Sequence, residues 1–259
     1  MKKLALGLLL FAFCFIAVPR STLAQYVAID YMKVEQGGDA EYVAVEQSIW
    51  KKIHQKRLDE GLILAWYLFA VDYPYGSATK YNYVTVNIFE SIEKMEMAQY
   101  PDEIVASAGD VEAISARTNA SRKLVWSEVY RLVDRVGPPV PSVPRKYVNV
   151  AYMKVKTNVA DYLSVEQDLW KPVHEKRHET GMLDVWALYE RVFPGGTDYG
   201  SEYLTVNTHA SMVEMMAGYP DTLIESAYPD GVPEDFSART GASRDIVKAA
   251  LWRLLDYVQ

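Results

Sequence analysis

The sequence predicts an α+β protein in which two tandem βαββαβ units share one chain. Three observations carry this: long strings recur at a nearly fixed offset, each copy runs through strands and helices in one order, and the second strand is largely apolar on both faces. YVAIDYMKV at 26–34 returns as YVNVAYMKV at 147–155, and YVAVEQSIWKKIHQKR at 42–57 returns as YLSVEQDLWKPVHEKR at 162–177. YVTVN at 83–87 becomes YLTVN at 203–207, and SARTNASR at 115–122 becomes SARTGASR at 237–244. Residues 42–90 align with the second copy without a gap at an offset of 120, with 18 of 49 pairs identical, so the second unit is a duplicate of the first.

In the first copy, residues 26–34 are β-rich and stop at Gln36-Gly37-Gly38, a turn. Residues 39–60 have helical period and end at Gly61; Tyr42, Val45, Ile49 and Ile53 form an apolar face expected to pack on the sheet, repeated as Tyr162, Val165, Leu169 and Val173. LILAWYLFAV (62–71) predicts a strand closed by a Pro74-Tyr75-Gly76 turn, and YNYVTVNIF (81–89) predicts the next. Ser91 is placed to cap a short helix through Gln99, with Met95 and Met97, and Met212, Met215 and Met216 in the copy, expected in its core. An irregular stretch with Pro101 and Gly109 follows. It carries Arg117 and Arg122, repeated as Arg239 and Arg244, for which salt bridges or capping are the expected use and a lid the alternative. EVYRLVDRV (128–136) alternates as the last strand. The organisation is therefore a signal segment at 1–24, a first unit at 25–136, a Pro-rich linker at 137–146 and a second unit at 147–259. Within the linker, GPPVPSVP should form a stiff spacer of roughly 25 Å at about 3.1 Å per residue.

The order βαββαβ is the split unit of a ferredoxin-like domain. In the third strand Tyr83, Thr85 and Asn87 point one way and Val84, Val86 and Ile88 the other. Helices cover only one face of such a sheet, so the remaining apolar face needs another sheet. The doubled order resembles the dimeric α/β-barrel superfamily, through YVxxxYMKV, VEQxxWKxxHxKR, WxLxxxxPxG and YxTVN, which span nearly all of both copies. The resemblance implies that the two ferredoxin-like domains close face to face as an intrachain barrel, and that small molecules bind in helix–sheet crevices. It implies no single activity, since the superfamily includes cofactor-free monooxygenases, isomerases and haem-handling enzymes.

Lys2 and Lys3, the apolar run 4–18 and the Thr22-Leu23-Ala24 site read as a cleavable signal, too short at about fifteen residues to span a bilayer. Export to the periplasm or outside the cell is expected, as a bacterial-type soluble protein. Cys14 lies within the run, so the mature chain holds no thiol for a disulfide, a nucleophile or a metal. Cleavage leaves 24 basic against 34 acidic residues, a formal charge of −10, which disfavours nucleic acid as a partner. No later segment is apolar enough for a membrane.

HEKRH at 174–178 spells the H-E-x-x-H of zinc peptidases. The equivalent string in the first copy is HQKRL, without the glutamate or the second histidine, and Lys176, Arg177 and Glu179 place charge where the helix behind a metal is buried. The third-ligand candidates Glu190, Glu202 and His209 fall in strand or turn. No metal is expected.

The duplicated polar stripe is the candidate site. Trp50, His54 and Arg57 recur as Trp170, His174 and Arg177, with Glu46 and Glu166, and Asn87 and Asn207, as secondary members. Indole, imidazole and guanidinium at a crevice edge suit a small aromatic or carboxylate-bearing ligand. The stripe equally suits a structural tie in which Glu46 pairs with the histidine or arginine. Trp66 and Trp186 read as core. Three function classes follow: a small-molecule binding protein, a monooxygenase- or isomerase-like enzyme using His54 or His174 as acid–base group, and a structural or partner-binding module. No cofactor is predicted, although available histidines leave haem open. The mature protein is expected to begin at Gln25 without lipid; intact-mass measurement of the exported protein checks this, and a retained leader or an acyl chain contradicts it.

Overall fold

The computed structural model describes residues 25–259 apart from 99 and 101; the expected signal segment, with Cys14, lies outside the described residues. The first half runs β1 (Tyr26–Lys33), a helix α1 (39–59), β2 (Ala65–Tyr73), β3 (Tyr83–Phe89), α2 (Ile92–Met97), α3 (Asp102–Ala106), α4 (Val111–Ser121) and β4 (Lys123–Val136). The second runs β5 (Tyr147–Val155), a helix α5 (159–179), β6 (Trp186–Phe193), β7 (Tyr203–His209), α6 (Met212–Met216), α7 (Asp221–Ala227), α8 (Phe236–Ser243) and β8 (Arg244–Val258). The stretch expected to be irregular is thus largely helical: α3 and α4 bury Ile104, Val105 and Ile114 against α1. Ser91 caps α2, its side chain accepting from the Lys94 N–H. The methionines meet expectation only in part: Met95 packs against the core, while Met97, Met212 and Met216 are exposed, because these one- to two-turn helices lie on the surface.

Strand order is β4-β1-β3-β2 in the first half and β8-β5-β7-β6 in the second, and the two sheets join at both edges into one closed eight-stranded barrel. The long last strands make the closure. β4, 14 residues, pairs with β1 over its first part and with β6 over its last, and β8, 15 residues, pairs in the same way with β5 and then β2. Register shifts between Val129 and Tyr130 and between Leu132 and Asp134 are bulges that bend β4 from one sheet to the other. Among the described residues, closure leaves no strand edge of the barrel unpaired. It is also clamped outside by two equivalent ion pairs between halves, Lys51 Nζ to Asp256 at 2.6 Å and Lys171 Nζ to Asp134 at 2.7 Å.

Inside, Val27, Ile29, Val84, Val86, Val148 and Val150 pack with Tyr67, Phe69 and Trp252. The equivalent tyrosines Tyr31 and Tyr152 meet with hydroxyls 2.8 Å apart. Glu128 accepts from Tyr31 at 2.6 Å and Tyr130 at 3.0 Å and faces Arg191 at 3.7 Å. Ala250 and Val71 occupy the duplicate positions of Glu128 and Arg191. The charge pair therefore exists once and joins one half to the other. The linker crosses one mouth of the barrel, where Pro139, Pro141 and Pro144 help enclose an apolar cavity of about 110 Å³. Gly137 starts it at φ +89°, where a Cβ would overlap the Asp184 carbonyl.

Arg191→Ala should leave the buried Glu128 carboxylate without its cation and lower unfolding free energy by about 3–5 kcal/mol in urea melts. Adding Glu128→Gln should restore much of that loss.

Candidate functional site

Both long helices contain a π-helical turn, at Glu46–Trp50 and at Val165–Trp170. Such a turn inserts about one extra residue, so every later side chain is rotated by about one position relative to a straight α-helix. Tyr42 and Val45, before it, are buried as the straight-helix reading expects. After it, Ile53 turns away from the sheet to pack with Ile104, Val105 and Ile114, and His54 and Arg57 take the sheet-facing side. The stripe expected beside the apolar face is consequently beneath the helix. Glu46, His54 and Arg57 are 1–2% exposed, and Glu166, His174 and Arg177 are 1–4% exposed.

Each group is tied. The His54 ring stacks on Trp66 at 4.7 Å and 14°, and His174 on Trp186 at 4.7 Å and 16°. Arg57 Nη1 donates to His54 Nδ1 and Asn87 Oδ1, both at 2.9 Å, while Nη2 donates to the Ala98 carbonyl at 2.9 Å. Arg177 Nη2 donates instead to the Glu214 carbonyl at 2.6 Å, and Tyr219 lies 3.2 Å from both His174 Nδ1 and Asn207 Oδ1. Trp50 Nε1 donates to Thr118 and Trp170 Nε1 to Thr240, both at 3.0 Å. Glu46 pairs with Arg122 at 3.2 Å and Glu166 with Arg244 at 2.9 Å. These links fasten helix to sheet and the α3–α4 segment to the helix in both halves.

An arginine cannot accept a hydrogen bond, so His54 Nδ1 carries the lone pair and Nε2 carries the proton. Burial, reinforced by Arg57, holds His54 well below its ordinary value of 6.5, and burial with Arg177 lowers His174 to about 3. Both rings are neutral. Burial pushes Glu46 up to about 7, against the pull of Arg122.

In the first half these residues border a cavity of about 230 Å³, lined by Asp30, Glu46, Trp50, His54, Trp66 and Arg122, with Met32, Thr85, Tyr100 and Leu124 completing it. Arg57 and Asn87 stand behind this wall and do not line it. Asp30, unremarked in the sequence reading, is half-buried and faces the cavity; Ser127 donates to its Oδ1. Burial raises its carboxyl above the usual range, partly offset by Ser127, Arg122 and Arg57. Strand register pairs Asp30 with Ser127 and Thr85, and the equivalent register pairs Ala151 with Ala249 and Thr205. The second half thus repeats the tied residues without the acid and its hydroxyl partner. Its recess of about 500 Å³ lies elsewhere, between Trp170, Ile224, Val232 and Phe236.

HEKRH has other uses here. His178 Nδ1–H donates to the Leu183 carbonyl at 3.0 Å, His209 is 2.8 Å from the Met182 carbonyl, and Glu202 accepts from the Val155 N–H. Among the described residues no three His, Cys, Asp or Glu side chains gather as a metal site. Haem fits the first crevice poorly, because His54 presents a proton where iron needs a lone pair. The cavity is also smaller than the roughly 300–1,000 Å³ of drug-sized ligand sites. Among the described residues no helix is long and apolar enough to cross a membrane.

No protein-family model matches the chain. No curated protein matches it either. Solved structures do. A candidate monooxygenase from Fusobacterium nucleatum is 8% identical, with 92% of this chain and 94% of that chain covered and a TM-score of 0.55. A candidate monooxygenase from Lactobacillus acidophilus is 11% identical, with 90% and 93% covered and a TM-score of 0.54. A candidate chlorite dismutase is 12% identical, with 90% and 96% covered and a TM-score of 0.51. The shared feature is the fold: a dimeric α/β barrel of two ferredoxin-like halves, here supplied by one chain.

The pH dependence of stability follows from the buried groups. The histidines protonate near 6.5 when unfolded and far lower when folded, so their contribution is complete above pH 6.5 and is lost as pH falls through the depressed folded value, about 3 for His174. Glu46 runs oppositely: its contribution is complete below pH 4.5 and lost as pH rises through about 7. Urea melts should show His54→Gln and His174→Gln flattening the acid limb and Glu46→Gln flattening the neutral one. His54→Ala and His174→Ala should each cost about 2–4 kcal/mol, from the hole left on the tryptophan and the stranded partner at Nδ1.

Proposed function

Starting from a dimeric α/β barrel closed within one chain, we propose an exported protein that binds one small, partly aromatic molecule in the first-half crevice between α1 and the sheet. The observation that carries this is the cavity of about 230 Å³ whose walls are Trp50, Trp66 and Tyr100 and whose polar groups are Asp30, Glu46, His54, Thr85 and Arg122. Apolar walls with a few convergent polar groups are the usual make-up of a ligand site. The enzyme reading is favoured over the purely structural one by a specific feature. One carboxyl in the cavity, Asp30, is raised by burial and has alanine at its duplicate position, and such perturbed groups cluster at working sites. The structural reading accounts for Arg57, Asn87 and their duplicates, but not for Asp30.

Native mass spectrometry of protein purified from its own compartment should find one small compound per chain. Leu124→Trp, at the half-exposed mouth, should fill the cavity and abolish retention with little change in melting temperature, whereas Ile246→Trp in the second half should retain the compound. Retention by Leu124→Trp, or two compounds per chain, would count against the first-half crevice.

A further inference from the structure

Building on the first-half crevice as the ligand site, we infer that it is a proton-transfer site for a small carbonyl compound. In this assignment the Asp30 carboxylate takes a proton from the carbon next to the carbonyl, while His54 Nε2–H and the Arg122 guanidinium face the carbonyl oxygen. The duplication separates structural from working residues. The Glu–Arg pair, the Trp–Thr bond, the His–Trp stack and the buried arginine occur in both halves, and the second half folds the same way with Ala151 and Ala249 where the first has Asp30 and Ser127. The barrel therefore does not need the acid. A carboxyl set under a helix costs stability relative to alanine, and this one borders the cavity.

Its surroundings suit a base. The charged and titratable groups packed around Asp30 are Glu46, His54 and Arg57 from α1, Tyr100 before α3, and Arg122 between α4 and β4. Ser127 orients the carboxylate, and burial makes it more basic than an exposed one. His54 cannot be that base, since its Nδ1 lone pair is engaged by Arg57 and its Nε2 already carries a proton. It is instead a neutral donor, which together with the Arg122 guanidinium matches negative charge developing on a ligand oxygen.

The step balances without a cofactor. The C–H bond breaks and its proton goes to Asp30. The bonding pair forms the new C=C bond, and the carbonyl π pair moves to oxygen as an enolate held by His54 Nε2–H. Protonated Asp30 then returns the proton to the same carbon or to a conjugated one, so the compound leaves unchanged or isomerised and nothing is oxidised.

The test uses 2-tetralone as the probe and the full chain in D₂O, with exchange of the α-hydrogens followed by NMR and binding by saturation transfer. Wild type should accelerate exchange about 100-fold over buffer, within the range of general acid–base catalysis. The rate should fall as pH drops below the raised Asp30 value. Asp30→Asn and Asp30→Ala should bind the probe but exchange it at the buffer rate; circular dichroism confirms their fold, and Ala151 shows that alanine is accepted at this register. Binding without exchange, or exchange by Asp30→Asn at the wild-type rate, overturns the proton-transfer role and leaves the binding reading intact. Failure of 2-tetralone to bind overturns the carbonyl class. The binding reading itself fails separately, if Leu124→Trp still retains the co-purifying compound.

Discussion

Each half of this protein is a four-stranded sheet with apolar residues on both faces and helices on only one, and the uncovered face must be buried. The duplicate does this. The two sheets do not merely stack: β4 and β8 are long enough to serve both, so closure satisfies the backbone edges as it buries the inner side chains. Strands β2 and β6 each pair with one strand of their own half and find their second partner, β8 and β4, in the opposite half. The Glu128–Arg191 pair, present once, makes the interface between the halves unequal despite their common origin.

Outside the barrel, the constraint is the π-helical turn. It moves the polar stripe under each helix, where every charged group needs a partner. The partners are mostly neutral or backbone: Arg57 donates to an imidazole, an amide and a helix-end carbonyl. A residue set that looks like a binding stripe in sequence is therefore, in large part, the fastening of helix to sheet. The cavity exists beside this fastening, and its chemistry comes from β1 and β4 as much as from the helix.

Comparison of the two halves then becomes informative in a second way. Identity between copies points to packing that any half requires, and difference points to what only one half does. Asp30 and Ser127 on adjacent strands, against Ala151 and Ala249, are such a difference within one small pocket. The strings YVAIDYMKV and YVNVAYMKV already display the Asp30–Ala151 contrast, yet weighing only matched residues passes over it.

The sequence by itself determined the duplication, the βαββαβ order and the need for a second sheet, because these depend on period, spacing and repetition along the chain. It also marked Trp50, His54 and Glu46, which line the cavity. Only the tertiary structure decided the facing of the stripe, since a one-residue π insertion rotates side chains by about 100° without a signature in composition. It alone placed Arg57 and Asn87 behind the wall, turned the α3–α4 segment into helices on α1, and brought Asp30, Ser127 and Arg122 to His54. These residues lie on β1, α1, β4 and the α4–β4 junction, far apart in the chain, and meet only because strand register and the helix crossing set them on one face.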